Sequence, residues 1–203
     1  MKKIIALLSA ISVFLCLYAT QDNISKEIDP DWWSVVKEKI EKSEYHIRYM
    51  EDSKAYVSPN KANNLHFTYS AGGFTAKPCT DSLAEWEVSL TLRQIGKNNA
   101  VLSCTDSAEI ITDTSSMQVV RNDFTIEYLN NGEGMRQNFI VHKQLPGHEP
   151  LKVLLAYEGS LEMIKKSSED ILFTQKNKNT GLYDNKLWYK DLQVWDAKGN
   201  TLP

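Results

Sequence analysis

The spacing of apolar positions changes character twice along this chain. Behind Lys2 and Lys3, residues 4–18 are almost uninterruptedly apolar. Further on, Trp32, Val36 and Ile40 recur every four residues with Lys37, Glu38, Lys39, Glu41 and Lys42 between them. A repeat near four matches the turn of an α-helix with one apolar stripe. Asp29 can cap its free N–H groups, and Pro30 suits the first helical position. The spacing predicts an amphipathic helix of about three turns ending near Ser43, widened by Trp33 and Val35 beside the stripe. Such a helix can lie on a membrane or dock on its own domain, and its mixed rather than uniformly basic charges favour docking.

Beyond residue 44 the period falls to two. Tyr45, Ile47 and Tyr49 alternate with polar residues, as do Leu65, Phe67 and Tyr69, and Trp86, Val88, Leu90 and Leu92. The same holds for Phe124, Ile126 and Tyr128, for Phe139 and Val141, and for Leu151, Val153, Leu155 and Tyr157. Alternation of this kind marks strands with one face in a core. Turn-forming clusters separate the runs, among them Ser58-Pro59-Asn60, Gly72-Gly73, Gly96-Lys97-Asn98-Asn99, Asn130-Asn131-Gly132 and Pro146-Gly147. No helical pattern alternates with the strands, which disfavours a parallel sheet. The fold class expected is mainly β: an antiparallel β-sandwich-like domain with one N-terminal amphipathic helix. Residues 1–20 read as a signal peptide, 21–43 as a segment with the helix, and 44–203 as the β-rich domain. Near the end, Asp196-Ala197-Lys198-Gly199-Asn200 forms a hairpin turn only three residues before Pro203. With no returning strand evident, the pattern points to a domain truncated at its C-terminus, the alternative being a frayed natural terminus.

The residue balance narrows the partners. With 42% hydrophobic and 24% charged residues among 203, neither a disordered chain nor a multi-span membrane protein is indicated. The net charge of −3 excludes nucleic acid as the main partner, since phosphate binding needs clustered Lys and Arg. The apolar run 4–18 is short for a membrane span, which takes about 20 residues, but suits a signal core. Ala19-Thr20-Gln21-Asp22 then turns small and polar, so cleavage is expected just after Ala19 or Thr20. Phe14 and Leu15 before Cys16 are too bulky for lipoprotein processing. Loss of residues 1–20 removes two lysines and no acid, leaving a mildly acidic exported domain with no stable membrane span. Its two cysteines, Cys79 and Cys104, each open the tetrapeptide Cys-Thr-Asp-Ser. In an oxidising compartment a bridge between them is expected, worth roughly 3 kcal/mol by loop-closure entropy.

Several stretches taken together have a familiar order. Residues 44–49 lead to 55–65; the stretch 124–141 carries Asn130-Asn131-Gly132-Glu133-Gly134-Met135-Arg136-Gln137-Asn138; the chain closes with 189–203. Over roughly residues 40–203 this resembles the N-terminal β-rich region of secreted Bacteroidetes-type proteins with FG-GAP or related β-propeller repeats. Residues 127–141 are the most specific part. The resemblance implies a non-catalytic β-module ahead of a propeller, although neither propeller nor sorting domain is present in this sequence. Within that group, Asp81-Ser82-Leu83 and Asp106-Ser107-Ala108 are similar to short O-glycosylation signals.

Chemistry is sparse. His46, His66, His142 and His148 fall on different runs and loops, so no metal site is expected. No phosphate loop, zinc-protease element or nucleophile elbow is present. Glu85 with Glu87, and Glu169 with Asp170, are the acidic pairs a glycosidase would need, but equally ordinary surface. The weak binding candidates are Trp188 and Tyr189, adjacent on a strand and so facing opposite sides, and Arg136 after the 130–134 turn. Arg136 reads more readily as a clamp on neighbouring carbonyls or Glu133 than as a binding edge. Trp86, in phase with Val88, is expected in the core. The expectation is thus an exported β-module with a structural or protein-interaction role, needing no cofactor. The alternative is a carbohydrate-binding module using exposed aromatics, and the partner is an unidentified protein or glycan.

Overall fold

The computed structural model describes residues 30–79, 86–97, 100–177 and 179–202. The signal segment, Asp29, the turn residues Asn98 and Asn99, and Asp81-Ser82-Leu83 lie outside the described residues. The chain divides into two units between Lys37 and Glu38. The boundary falls within the helix α1 (Pro30–Ser43), which starts on Pro30 and ends at Ser43 as its spacing predicts. Ser34 Oγ and Ser43 Oγ donate back to the carbonyls of Asp31 and Ile40, three residues earlier. Trp32, Trp33, Val35 and Ile40 are exposed.

Among the described residues from Arg48 onward, all strands pair antiparallel, and the one helical element is a single 3-10 turn at Lys61–Asn63. Sheet A runs in the order β1 (Arg48–Met50), β2 (Ala55–Asn60), β3 (Leu65–Tyr69), β4 (Gly73–Pro78), β5 (Val88–Lys97) and β11 (Lys152–Gly159). The short β6 (Ala100–Val101) folds back on the end of β5. Sheet B follows the order β10 (Gly134–Val141), β9 (Phe124–Asn131), β8 (Ser116–Val120) and β7 (Glu109–Asp113). Sheet C is β12 (Glu162–Lys165), β13 (Ile171–Lys176) and β14 (Tyr183–Tyr189), and a last hairpin pairs β15 (Val194–Trp195) with β16 (Thr201–Leu202). Contrary to the sequence expectation, a returning strand follows the Asp196 turn: Val194 faces Leu202 and Trp195 faces Thr201. Two residues of strand are too short to announce themselves by alternation.

The three larger sheets share one core. Phe67, Tyr69, Phe74, Val88 and Leu90 from sheet A meet Met117, Val119, Phe124, Ile126 and Tyr128 from sheet B, with Phe173 from sheet C. Tyr128 lies with its ring 5.0 Å from that of Tyr69 and edge-on to Phe74 at 6.3 Å, within the range of favourable aromatic pairing across the layers. Trp86 is buried as its phase predicts. Gly73 shows why its position admits no side chain: a Cβ there would land on the Leu90 carbonyl of the neighbouring strand. Arg121, only 8% exposed, fastens the turns together, with Nη1 on the Asp106 carbonyl, Nη2 on that of Ala71 at 3.0 Å, and its guanidinium 5.9 Å from the Phe124 ring centre.

The two layers are also joined by polar groups. Asn130 continues the inward phase of β9 after Tyr128, and Ser58 and Asn60 point inward from β2; all three are at most 2% exposed. Asn130 Nδ2 donates towards Ser58 Oγ (3.0 Å) and the carbonyls of Pro59 (2.9 Å) and Tyr45 (3.0 Å). Its Oδ1 accepts from Asn60 Nδ2 at 2.7 Å. Asn60 also donates to the Asn131 carbonyl, and its own oxygen accepts from Asn63, whose amide reaches Gly132. Ser58 in turn pairs with the Tyr69 hydroxyl at 2.8 Å. Buried polar groups are tolerable only when hydrogen-bonded, and here each finds its partner on the opposite layer or an adjoining loop.

Candidate functional site: the outer face of sheets B and C

On β9 the residues that alternate with the core set are Thr125, Glu127 and Leu129; Thr125 is buried beneath His142, and Glu127 and Leu129 are half-buried. Register places Gln118 of β8 and Asn138 of β10 directly opposite Glu127 on either side. The Glu127 carboxylate accepts from both, Oε1 from Gln118 Nε2 at 3.0 Å and Oε2 from Asn138 Nδ2 at 2.8 Å. Three planar groups are thereby held in one row across three strands. With their N–H groups turned to Glu127, the two amides keep carbonyl oxygens for a further donor. One row along, Arg136 faces Leu129 across the ladder.

Arg136 is exposed and makes no hydrogen bond or ion pair among the described residues, so the clamp expected of it does not form. Glu133, its anticipated partner, instead has its backbone N–H on Asn131 Oδ1. The clamping in this segment is done by Asn130, whose position in the core phase is the sequence signal that was available for it. Arg136 falls in the opposite phase and is carried away from the carbonyls it was expected to tie.

Trp188 and Tyr189 divide as adjacent strand residues must. Trp188, 47% exposed, stands over the buried Leu172 of the neighbouring strand. Tyr189 turns inward, where burial pushes its hydroxyl pKa up and its O–H donates to Gln137 Oε1 at 3.3 Å. Gln137 Nε2 reaches on to the Tyr128 hydroxyl at 3.4 Å. Tyr189 therefore ties sheet C to sheet B. Because Tyr189 and Gln137 both point to the core, their chain neighbours, Trp188 on one side and Arg136 and Asn138 on the other, are turned to the outer side. Sheet B thus offers a guanidinium, two amides and a fixed carboxylate on one face, and sheet C offers an exposed indole.

No family model, curated protein or solved structure matches this chain. The remaining candidates are thus judged on geometry alone. Cys79 and Cys104 are free thiols, contrary to the expected bridge. Each thiol faces a carbonyl instead, Cys79 Sγ that of Leu65 at 2.7 Å and Cys104 Sγ that of Leu102 at 3.8 Å. Among the described residues no group of three or more His, Cys, Asp and Glu is placed to hold a metal ion. His142 Nε2 bonds to Thr125 Oγ1 at 2.9 Å, while His66 is half-buried with Nδ1 unpartnered. Burial, then Lys77 and Arg48, hold the His66 pKa below its ordinary 6.5. Of the acidic pairs, Glu85 lies outside the described residues and Glu87 is exposed. Asp170 is occupied with its own turns, accepting from Ser167 Oγ and the Asp191 N–H. Ser107 is exposed. No helix among the described residues is long and apolar enough to cross a membrane.

Proposed function

We propose that this chain is an exported, non-catalytic β-sandwich module that works by recognition, in a structural or protein-interaction role. Its contact surface is the outer face of sheet B with the adjoining flank of sheet C. The observation that carries this reading is the row Gln118–Glu127–Asn138, a carboxylate held by two amides beside the unpaired, exposed Arg136. Groups fixed in this way lose little conformational freedom when a partner arrives, which favours binding. Export is supported by the basic start and apolar run of residues 2–18. Residues 127–141, the heart of the resemblance to secreted repeat proteins, include both Glu127 and Asn138.

A glycan is the second reading, favoured specifically by the exposure of Trp188, whose indole face can stack on a sugar ring. Binding of the purified protein to a glycan array and to a cell-envelope fraction separates the two. Trp188→Ala and Arg136→Ala are run beside it, with circular dichroism as the check on folding. A protein partner predicts a loss of about tenfold or more on Arg136→Ala. A glycan predicts array binding that disappears with Trp188→Ala. If both variants bind every target as the parent does, this face is not the contact surface.

A further inference from the structure

Sheet A ends on β11, and that edge has features that point to a second copy of this chain. Among the described residues β11 pairs only with β5, leaving its other side unpaired along eight residues. Its centre, Val153-Leu154-Leu155-Ala156-Tyr157, carries no charge, whereas edge strands that avoid pairing place charge or proline there. Leu154 is 56% exposed, and Val153 and Leu151 are exposed as well. The interruption of register beside Leu154 comes from an extra residue in β5, so β11 itself alternates without a break. Leu155 and Tyr157 face the core opposite Leu92 and Leu90, and Lys152, Leu154, Ala156 and Glu158 line the other face.

We propose that β11 is a self-association edge: two copies pair their β11 strands antiparallel across a two-fold axis centred on Leu155, extending sheet A into a continuous sheet. This register sets Lys152 of each copy opposite Glu158 of the other, and both residues lie on the same face. Leu154 then packs against Ala156 of the second copy, and Val153 beside its Tyr157, in the interval between the two ion pairs. Shifting the axis to Leu154 or Ala156 leaves both charges without a partner, and an in-register parallel arrangement opposes Lys to Lys and Glu to Glu. Pro150, which cannot donate to a ladder, falls opposite Ser160, just outside the paired segment. Glu158 already has Arg93 of its own chain at 3.5 Å, with both groups largely exposed, so Lys152 of the second copy completes a row of alternating charge. Self-complementarity within one strand identifies the occupant: an unrelated strand has no reason to carry the mirrored charges.

Sedimentation equilibrium of the purified protein over a range of concentrations, repeated with Lys152→Glu and Glu158→Lys, tests this. Each single variant places like charges opposite each other at both ends of the pairing and is expected to weaken self-association about tenfold or more. An equimolar mixture of the two variants restores both ion pairs and is expected to associate about as tightly as the parent. Recovery in the mixture also shows that neither variant has merely misfolded. A parent that stays monomeric at every soluble concentration overturns the proposal. So do single variants that associate as the parent does, or a mixture that fails to recover.

Discussion

Asn130 offers the sharpest test of what holds the two layers together. Asn130→Ala removes the donor shared by Ser58, Pro59 and Tyr45 and the acceptor of Asn60 Nδ2. Some of these partners have other bonds: Ser58 keeps Tyr69, and Asn60 keeps the carbonyl of Asn131. The net loss is then the donor to two backbone carbonyls, at about 1 kcal/mol each, together with an amide-sized void in a site 2% exposed. We expect a total near 3 kcal/mol, seen as a melting temperature lower by about 6–12 °C for a domain of this size. Urea unfolding followed by tryptophan fluorescence measures the same quantity, with the slope unchanged if the native state stays compact. Asn130→Asp adds a second arm, because its carboxyl would face three oxygens and be driven towards its neutral form. A pKa raised in the folded state means stability retained at low pH and lost as pH rises through it, so this variant should cost more at pH 7 than at pH 4. Arg136→Ala is the control, its side chain exposed and without a hydrogen-bond or ion-pair partner among the described residues, and should change stability by no more than about 0.5 kcal/mol. An alanine variant within about 1 kcal/mol of the parent, or an aspartate variant indifferent to pH, would refute the reasoning.

Other expectations are as direct. Since the His66 pKa is lowered on folding, the unfolded chain takes up that proton first, so this group's contribution falls as pH drops below about 6.5. Lys77→Gln should move the His66 titration upward in an NMR pH series, and an unchanged midpoint would remove Lys77 from the account. Gly73→Ala forces a methyl onto the Leu90 carbonyl and should cost about 2–3 kcal/mol in chemical denaturation; a neutral result would mean that β4 and β5 separate easily. Cys79 and Cys104 should both take up iodoacetamide without prior reduction, as read by peptide mass mapping, whereas protection of the pair until reductant is added would restore the bridge.

The large elements were legible because their causes are local. The spacing of Trp32, Val36 and Ile40 and the proline at position 30 suffice for α1, and β9 and β10 follow from Phe124, Ile126 and Tyr128 around an Asn-Gly turn. What escaped depends on partners distant in sequence. β4 and the β7–β8 hairpin carry little alternation of their own: β4 sends only Phe74 and Ala76, and β8 only Met117 and Val119, fully into the core, and it is the neighbouring sheet that buries them. Ser58 and Asn60 have the composition of turn formers, yet they are core residues satisfied from β9, 70 residues or more away. The Gln118–Glu127–Asn138 row needs the register of three strands, which alternation alone does not supply. Trp188 and Tyr189 were expected to face opposite ways, and adjacency on a strand was enough to foresee it.

The Asn130 network also bears on how the chain finds this fold. The hairpins within sheets A and B join residues close in sequence and can form early, while contacts such as Asn60 with Asn130 must wait for the layers to meet. If β9 met sheet A slipped by one residue, it would present Leu129 and Asn131 to Ser58 and Asn60; slipped by two, it would offer Tyr128 or Gly132. Of these, only Asn131 carries an amide that could replace that of Asn130; with Leu129, Tyr128 or Gly132 in its place, the Asn60 amide and the Ser58 hydroxyl would lose this counterpart. A docking misaligned in those registers buries polar groups without partners, so the bonds among Ser58, Asn60, Tyr69 and Asn130 weigh against it and favour the native alignment of the layers.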